Sequence, residues 1–233
     1  MSRTCLMLAA LLVAPACDST DGSSAAGDKT AAKPSEAAPA AQAEPEAKAK
    51  PVVEKVDEWQ KALDARVLAD SGLGVGGKLS AFDIFNCDTG EKYCQVCRYG
   101  PHPKVMAVGT ADDEAFHEDL RNLDAIVHKY GDDKIKAFAV ITELDGGKAT
   151  TPKDPAALQE KAKGLKAELG INMPVVIPAP DPEGANRIWD EYYNITQSRT
   201  VMFADGKNVV KYSGVAPEDF SKLNDAIVEV IGS

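Results

Sequence analysis

The sequence predicts a three-layer α/β fold with a mixed central sheet and an N-terminal β extension. Three observations carry this. Apolar runs of strand length at 104–109, 136–142 and 173–177 alternate with helical patterns, the order of parallel strands joined by crossover helices. Two later runs, 200–203 and 208–213, flank Asp205-Gly206, a tight-hairpin dipeptide. A final helical pattern from Pro217 puts Phe220, Leu223, Ile227, Val230 and Ile231 on one face.

The elements follow in order. Val53, Val56, Trp59, Leu63 and Val67 are spaced for a helix over 53–69, within an N-terminal helical segment 53–73. The main domain then covers 74–233. Ala81–Phe85 reads as a short strand and Asp88-Thr89-Gly90 as a turn. After the strand at 104–109 comes a helix over 113–130. Phe116, Leu120, Leu123, Val127 and Tyr130 share its inner face, Asp112, Asp113 and Glu114 suit its positive end, and Gly131 stops it. Pro155 opens the next helix, with Leu158, Ala162, Leu165 and Leu169 inward and Gly170 as stop. Glu183–Tyr193 reads as a short helix. His117 and His128 fall on the polar side of their helix, and Trp59 and Trp189 read as packing residues.

What precedes the fold reads as targeting. Arg3 gives residues 1–16 a positive start, and Leu6–Val13 is an apolar core too short to span a bilayer. Val13-Ala14-Pro15-Ala16-Cys17 resembles the lipobox of bacterial lipoproteins, with Ala14 and Pro15 where Leu and a small residue are usual. That resemblance implies lipid on Cys17. Ordinary cleavage near Ala16 is the other reading. Either way the chain leaves the cytosol, where disulfides persist. Residues 17–52 are rich in Ala, Pro, Glu and Lys and lack aromatics. Such a segment cannot offset its ordering entropy by burial, so it reads as a disordered tether. The expected location is the bacterial cell envelope, lipid-anchored and facing the periplasm. A formal net charge of -10 argues against nucleic acid as a partner, and three His residues are few for a His-based metal enzyme.

The chemistry-bearing segment is Glu91–Gly100, which contains Cys94-Gln95-Val96-Cys97-Arg98-Tyr99-Gly100. With Cys5 removed and Cys17 lipidated, Cys87, Cys94 and Cys97 remain, and three pairings are possible. A Cys94–Cys97 bond closes a small ring that is often easier to reduce than a long-range staple, and a thiolate forms readily in such pairs. Arg98 lies close enough in sequence to assist. A structural staple, using any of the three pairings, is a second reading. A metal site of Cys87, Cys94, Cys97 and His102 is a third, suited to Zn²⁺ or Cu(I) but poorly marked in spacing.

The segments "FDIFNCDTGEKYCQVCRYGPHPKVMAVG" and "SRTVMFADGKNVVKYSG" resemble the thioredoxin-like superfamily, on its redoxin and peroxiredoxin-related side, over residues 74–233. The resemblance implies a thioredoxin-like fold, a thiol-disulfide oxidoreductase acting on protein thiols or disulfides of the envelope, a role in cell redox homeostasis, and no cofactor. Its departures are specific. Thioredoxins carry their C-x-x-C after the first core strand, where this chain has Gly109–Glu114 and no cysteine. Where the superfamily places a cis-proline, the chain has Ser198-Arg199. An arginine there resembles peroxiredoxins, and Arg199 is either a supporting site residue or a structural ion-pair partner. A non-catalytic binding module on the same fold is the rival to the oxidoreductase.

Geometry narrows the cysteines further. Cys97 precedes the amino end of the strand at 104–109, a strand of roughly 20 Å. Its connector Arg98–Pro103 could return to the carboxyl end only if fully stretched. The expectation is therefore that Cys94 and Cys97 bond each other at the amino pole, away from Thr110–Glu114, with Cys87 unbonded.

Overall fold

The computed structural model describes residues 53–232, with side chains from Glu58 onward. The signal segment, Cys17, the tether and the side chains of Val53 and Val56 lie outside the described residues. The elements are α1 (Val53–Asp64), β1 (Asp83–Asn86), β2 (Lys92–Cys94), α2 (Gln95–Tyr99), β3 (Lys104–Gly109), α3 (Glu114–Tyr130), β4 (Lys136–Ile141), β5 (Glu143–Asp145), β6 (Lys148–Thr150), α4 (Pro155–Leu169), β7 (Val175–Pro178), one π-helical turn (Ile188–Tyr192), β8 (Thr200–Ala204), β9 (Val210–Val215) and α5 (Ser221–Ile231).

Seven strands form one mixed sheet in the order β2-β1-β7-β4-β3-β8-β9. β3, β4 and β7 run parallel, and β8, β9 and the β1–β2 extension run antiparallel to their neighbours. All six residues of β3 are buried, because both its edges are paired and both its faces are covered. Alternation along the strand sends Val105 and Ala107 to one face and Met106 and Val108 to the other. The first face packs on α3, α4 and α5 through Phe116, Leu120, Leu123, Ala162, Leu223 and Ile227. The second is covered by residues 73–82, α2 and the π turn, with Phe82, Val96, Trp189 and Tyr193 inward. The three layers of the sequence reading are present.

The caps explain where the helices begin. Asp113 Oδ1 accepts from Ala115 N and Phe116 N and starts α3. Asp154 Oδ1 accepts from Ala157 N, with Pro155 in the first turn of α4. α5 begins at Ser221 rather than Pro217, because Asp219 Oδ1 accepts from Ser221 N and Oγ.

Other boundaries differ from expectation for physical reasons. α1 stops at Asp64, since a glycine-rich loop captures the chain: Gly74 N donates to Val67 O, and Leu68 bridges to Leu73. Val67 and Leu68 are left exposed, so their helical spacing reports no buried face. The expected helix over Glu183–Tyr193 is one π turn held by Asn186 and Asp190. β2, α2 and the β5–β6 hairpin were not anticipated.

Gly109 ends β3 directly beneath α3, where an added methyl would lie 2.5 Å from the Phe116 ring. Gly109→Ala should therefore destabilise the domain by about 1–3 kcal/mol through overpacking, read as a lower urea midpoint at unchanged slope.

Candidate functional site

Cys94 stands opposite Asp83, and β1 in turn runs antiparallel to β7 with Ile84 opposite Pro178. Asp83 O accepts from Ala179 N at 3.0 Å. Cys94 is therefore level with the carboxyl ends of β7 and β4. This corrects the expected amino pole. The connector need not carry the cysteines back, because β2 climbs to this pole alongside β1, and the chain descends afterwards through α2 to Lys104. Separation from Thr110–Glu114 is instead lateral. β2 is the terminal strand, four places from β3, or about 19 Å at ~4.8 Å per strand.

Cys94 and Cys97 are disulfide-bonded, with Cα atoms 5.3 Å apart. Cys94 is the N-cap of α2, and its Sγ accepts from Cys97 N at 3.1 Å. Cys97 is exposed and Cys94 half-buried. A pocket of about 420 Å³ opens beside them, lined by Ala81, Phe82, Asp83, Asn186, Arg187 and Ile188 among others. Its wall is fixed by Asn186, whose Nδ2 donates to Asp83 O and Ala179 O at 2.9 Å each, and whose Oδ1 accepts from Trp189 N. Phe82 stacks on Trp189 with ring centres 5.1 Å apart. Behind the π turn, Glu191 accepts from Trp59 Nε1 of α1 at 2.8 Å. Trp59 also lies under the Arg187 guanidinium, so both tryptophans are packing residues.

Three ties hold α2. Tyr99 Oη donates to Ala137 O at 2.7 Å, and burial pushes its pKa up. Tyr93 Oη donates to Gln95 Oε1 at 2.7 Å and accepts from Asn86 Nδ2. Lys104, wholly buried at the start of β3, donates from Nζ to Gly100 O at 2.8 Å and to Asn208 Oδ1. Burial lowers its pKa, and Asp205 opposes that shift. Arg98 faces outward, 4.6 Å over the Tyr93 ring and 3.6 Å from Glu91.

The proposed metal set does not assemble. Cys87 is a free, buried thiol packed with the α3 side of the sheet, whereas Cys94 packs against the other side. Among the described residues no group of three or more His, Cys, Asp and Glu could hold a metal ion. Cys87, just past the end of β1, is also four residues from Asp83, about 13 Å at ~3.3 Å per extended residue, too far to bond Cys94.

At the carboxyl end of β3, Thr110 N donates to Ser198 Oγ at 3.2 Å. Arg199 has a left-handed φ of 62° and turns away to α3. Its Nε and Nη2 meet Asp119 at 2.7 and 3.1 Å, an ion pair that raises the Arg199 pKa, and Nη2 also meets Pro217 O. His117 is half-buried, with Nε2 2.9 Å from Ala111 O, and His128 is exposed. His117 is thus less solvent-facing than its helical position implied.

No protein-family model and no curated protein matches the sequence. Solved structures do. A proposed protein disulfide isomerase from Bacteroides thetaiotaomicron aligns with a TM-score of 0.53 at 14% identity, over 71% of this chain and 96% of its own. The chain has a thioredoxin-like fold. The thioredoxin domain of a thiol-disulfide oxidoreductase from Bacteroides vulgatus aligns at 0.52 and 11% identity, over 68% of this chain and 99% of that one. A thiol-disulfide isomerase from Corynebacterium glutamicum gives 0.52 and 12%, over 68% and 97%. Within this thioredoxin-like domain, the segment after the first core strand is Thr110–Glu114, and the cysteine pair belongs to the β1–β2 extension and α2.

Sequence reasoning found the cysteines but not Asn186, Lys104, Tyr99 or the Phe82–Ile188 pocket. A lysine opening an otherwise apolar strand was a signal for Lys104, but it fits the half-buried Lys136 of β4 equally well. Burial pushes the Cys87 thiol from its ordinary value near 9 up to about 12. Below pH 9 the thiol is neutral folded and unfolded. Between pH 9 and 12 only the unfolded chain ionises there, so stability falls as pH rises, by at most about 1.4 kcal/mol per unit. Urea denaturation at pH 9 and 10 should show stability falling in the natural chain and falling less steeply in Cys87→Ala, where buried tyrosines such as Tyr99 and Tyr193 still contribute.

Proposed function

We propose that the chain is an envelope thiol-disulfide oxidoreductase, tethered to the bacterial membrane by lipid on Cys17, facing the periplasm and working from Cys94–Cys97. The observation that carries this reading is an exposed Cys97, bonded to Cys94 at the mouth of a pocket. A partner thiolate attacks Cys97 Sγ. The Cys94–Cys97 bond breaks, its electron pair leaves on Cys94 Sγ, and Cys97 is joined to the partner. The departing Cys94 thiolate keeps Cys97 N–H as its hydrogen-bond donor, which favours the charged form. The partner's second thiolate then attacks its own bonded sulfur and releases Cys97. The partner ends as a disulfide and this protein as a dithiol; the reverse sequence oxidises the protein.

Arg98 supports the pair only through its positive field, since its head is engaged by Tyr93 and Glu91. Arg199 serves the scaffold through Asp119. Cys94 as the cap of α2 favours the rival reading, a binding module with a structural disulfide. Quantitative thiol trapping across redox buffers separates the two. The oxidoreductase predicts a potential above about -300 mV and little stability loss in Cys94→Ser. The rival predicts a bond that resists reduction there and costs roughly 2–5 kcal/mol to lose.

The anchor has its own test. The natural chain should partition into detergent with a lipid-modified Cys17, and Cys17→Ala should move to the aqueous phase. An unmodified Cys17, or a membrane-bound variant, removes the lipid from the proposal.

A further inference from the structure

The pocket beside the disulfide has a composition that selects among thiols. Ala81, Phe82, Ala179 and Ile188 are apolar, and Cys97 stands exposed in the same lining. The floor is firm. Phe82 is stacked on Trp189 and edge-on to Tyr193, and Asn186 ties the π-turn segment to the ends of β1 and β7. Asp83 and Asp181 belong to the lining as well, Asp83 paired with Lys92 at 3.5 Å. The lining's cation, Arg187, is held by Glu191 at 3.1 and 3.2 Å. A group that arrives attached to the sulfur meeting Cys97 therefore finds an apolar wall in Ala81, Phe82 and Ile188.

We propose that the pocket receives a large apolar side chain adjacent to the reactive cysteine of a partner polypeptide, so that the substrates are cysteine-bearing peptide segments rather than small thiols such as glutathione. This rests on the oxidoreductase reading and adds the substrate class to it. Glutathione brings two carboxylates and no large apolar group, so it gains nothing against Phe82 and Ile188. A leucine or phenylalanine neighbour instead gains burial against Phe82 and Ile188 as the sulfurs meet. The step balances as a single exchange. The peptide thiolate forms a bond to Cys97 Sγ, the Cys94–Cys97 bond breaks, and Cys94 leaves as the thiolate.

The test follows mixed-disulfide formation by mass spectrometry after mixing the oxidised protein with a single-cysteine peptide. Two peptides differ only in the residue beside the cysteine, Leu or Ser. Glutathione and dithiothreitol are run alongside, and each thiol is normalised to its rate with a small aromatic disulfide. The Leu peptide should react about 10-fold faster than the Ser peptide, the scale of a hydrophobic pocket's discrimination, and faster than glutathione. In Ala81→Arg, which fills the mouth, and in Ile188→Ala, which removes the wall, the Leu-to-Ser ratio should fall below about 2-fold. The ratio is internal to each variant, so a change in intrinsic reactivity does not mimic the result. Equal rates for the two peptides with a disulfide that dithiothreitol reduces would overturn the substrate class and leave the oxidoreductase standing. A ratio that persists in both variants would overturn the pocket assignment. A bond that dithiothreitol leaves intact would remove the oxidoreductase reading, and this inference with it.

Discussion

β3 is enclosed on every side, and the rest of the domain is arranged to permit that. Its six consecutive residues are buried, all paired with β4 and five of them also with β8. A strand in that position must find every backbone partner within the sheet, and each face needs its own apolar cover. The helices α3, α4 and α5 supply one cover, and α2, the π turn and residues 73–82 supply the other. The first residue of this strand is a lysine. Burying an ammonium is costly unless it is hydrogen-bonded, and the two oxygens that satisfy it belong to Gly100 and Asn208. Gly100 is the C-cap of α2. Closing the centre of the sheet and placing the cysteine segment are thus a single constraint.

The same reasoning explains what could be read from the chain. The parallel strands were legible because strands buried on both faces lose polar alternation, as in Val105–Gly109 and Ala137–Ile141. The helices α3 and α4 were legible from faces and stops that the structure uses as written. Short elements were not. Lys92–Cys94 and Gln95–Tyr99 contain too few residues to establish either period. Asp145-Gly146-Gly147 is good hairpin chemistry, but its flanking strands are three residues long. For the site, spacing identified Cys94 and Cys97 as partners. Their pole is a property of register, fixed by Asp83↔Cys94 and Ile84↔Pro178. Nothing local in Ala81–Phe85 states which way that strand runs against its neighbour. The role of Arg199 was hidden for a related reason, since Asp119 is 80 residues away.

The carboxyl end of β3 has been given over to scaffold. Thr110 and Ser198 close the gap between β3 and the segment before β8, and Arg199 locks that segment to α3 through a nearly buried Asp119. Arg199 holds a left-handed backbone, uncommon for a residue with a side chain, which the paired guanidinium and the Ala216 N–H donated to its carbonyl keep in place. The cysteines lie on the opposite side, Cys94 at the end of the last strand and Cys97 exposed in the helix after it.

That peripheral placement has an evolutionary consequence. Lys104, Tyr99 and the Asn86–Tyr93 pair hold the cysteine ribbon against the sheet from its lower part, while Cys97 and Arg98 contribute nothing to either core cluster. The exposed neighbours of Cys97, Ala81 and Arg98, can therefore drift in sequence without disturbing the packing that makes the domain fold, whereas Phe82 and Asn186 cannot. A scaffold divided in this way is modular: lineages can diversify at the rim while inheriting an unchanged centre.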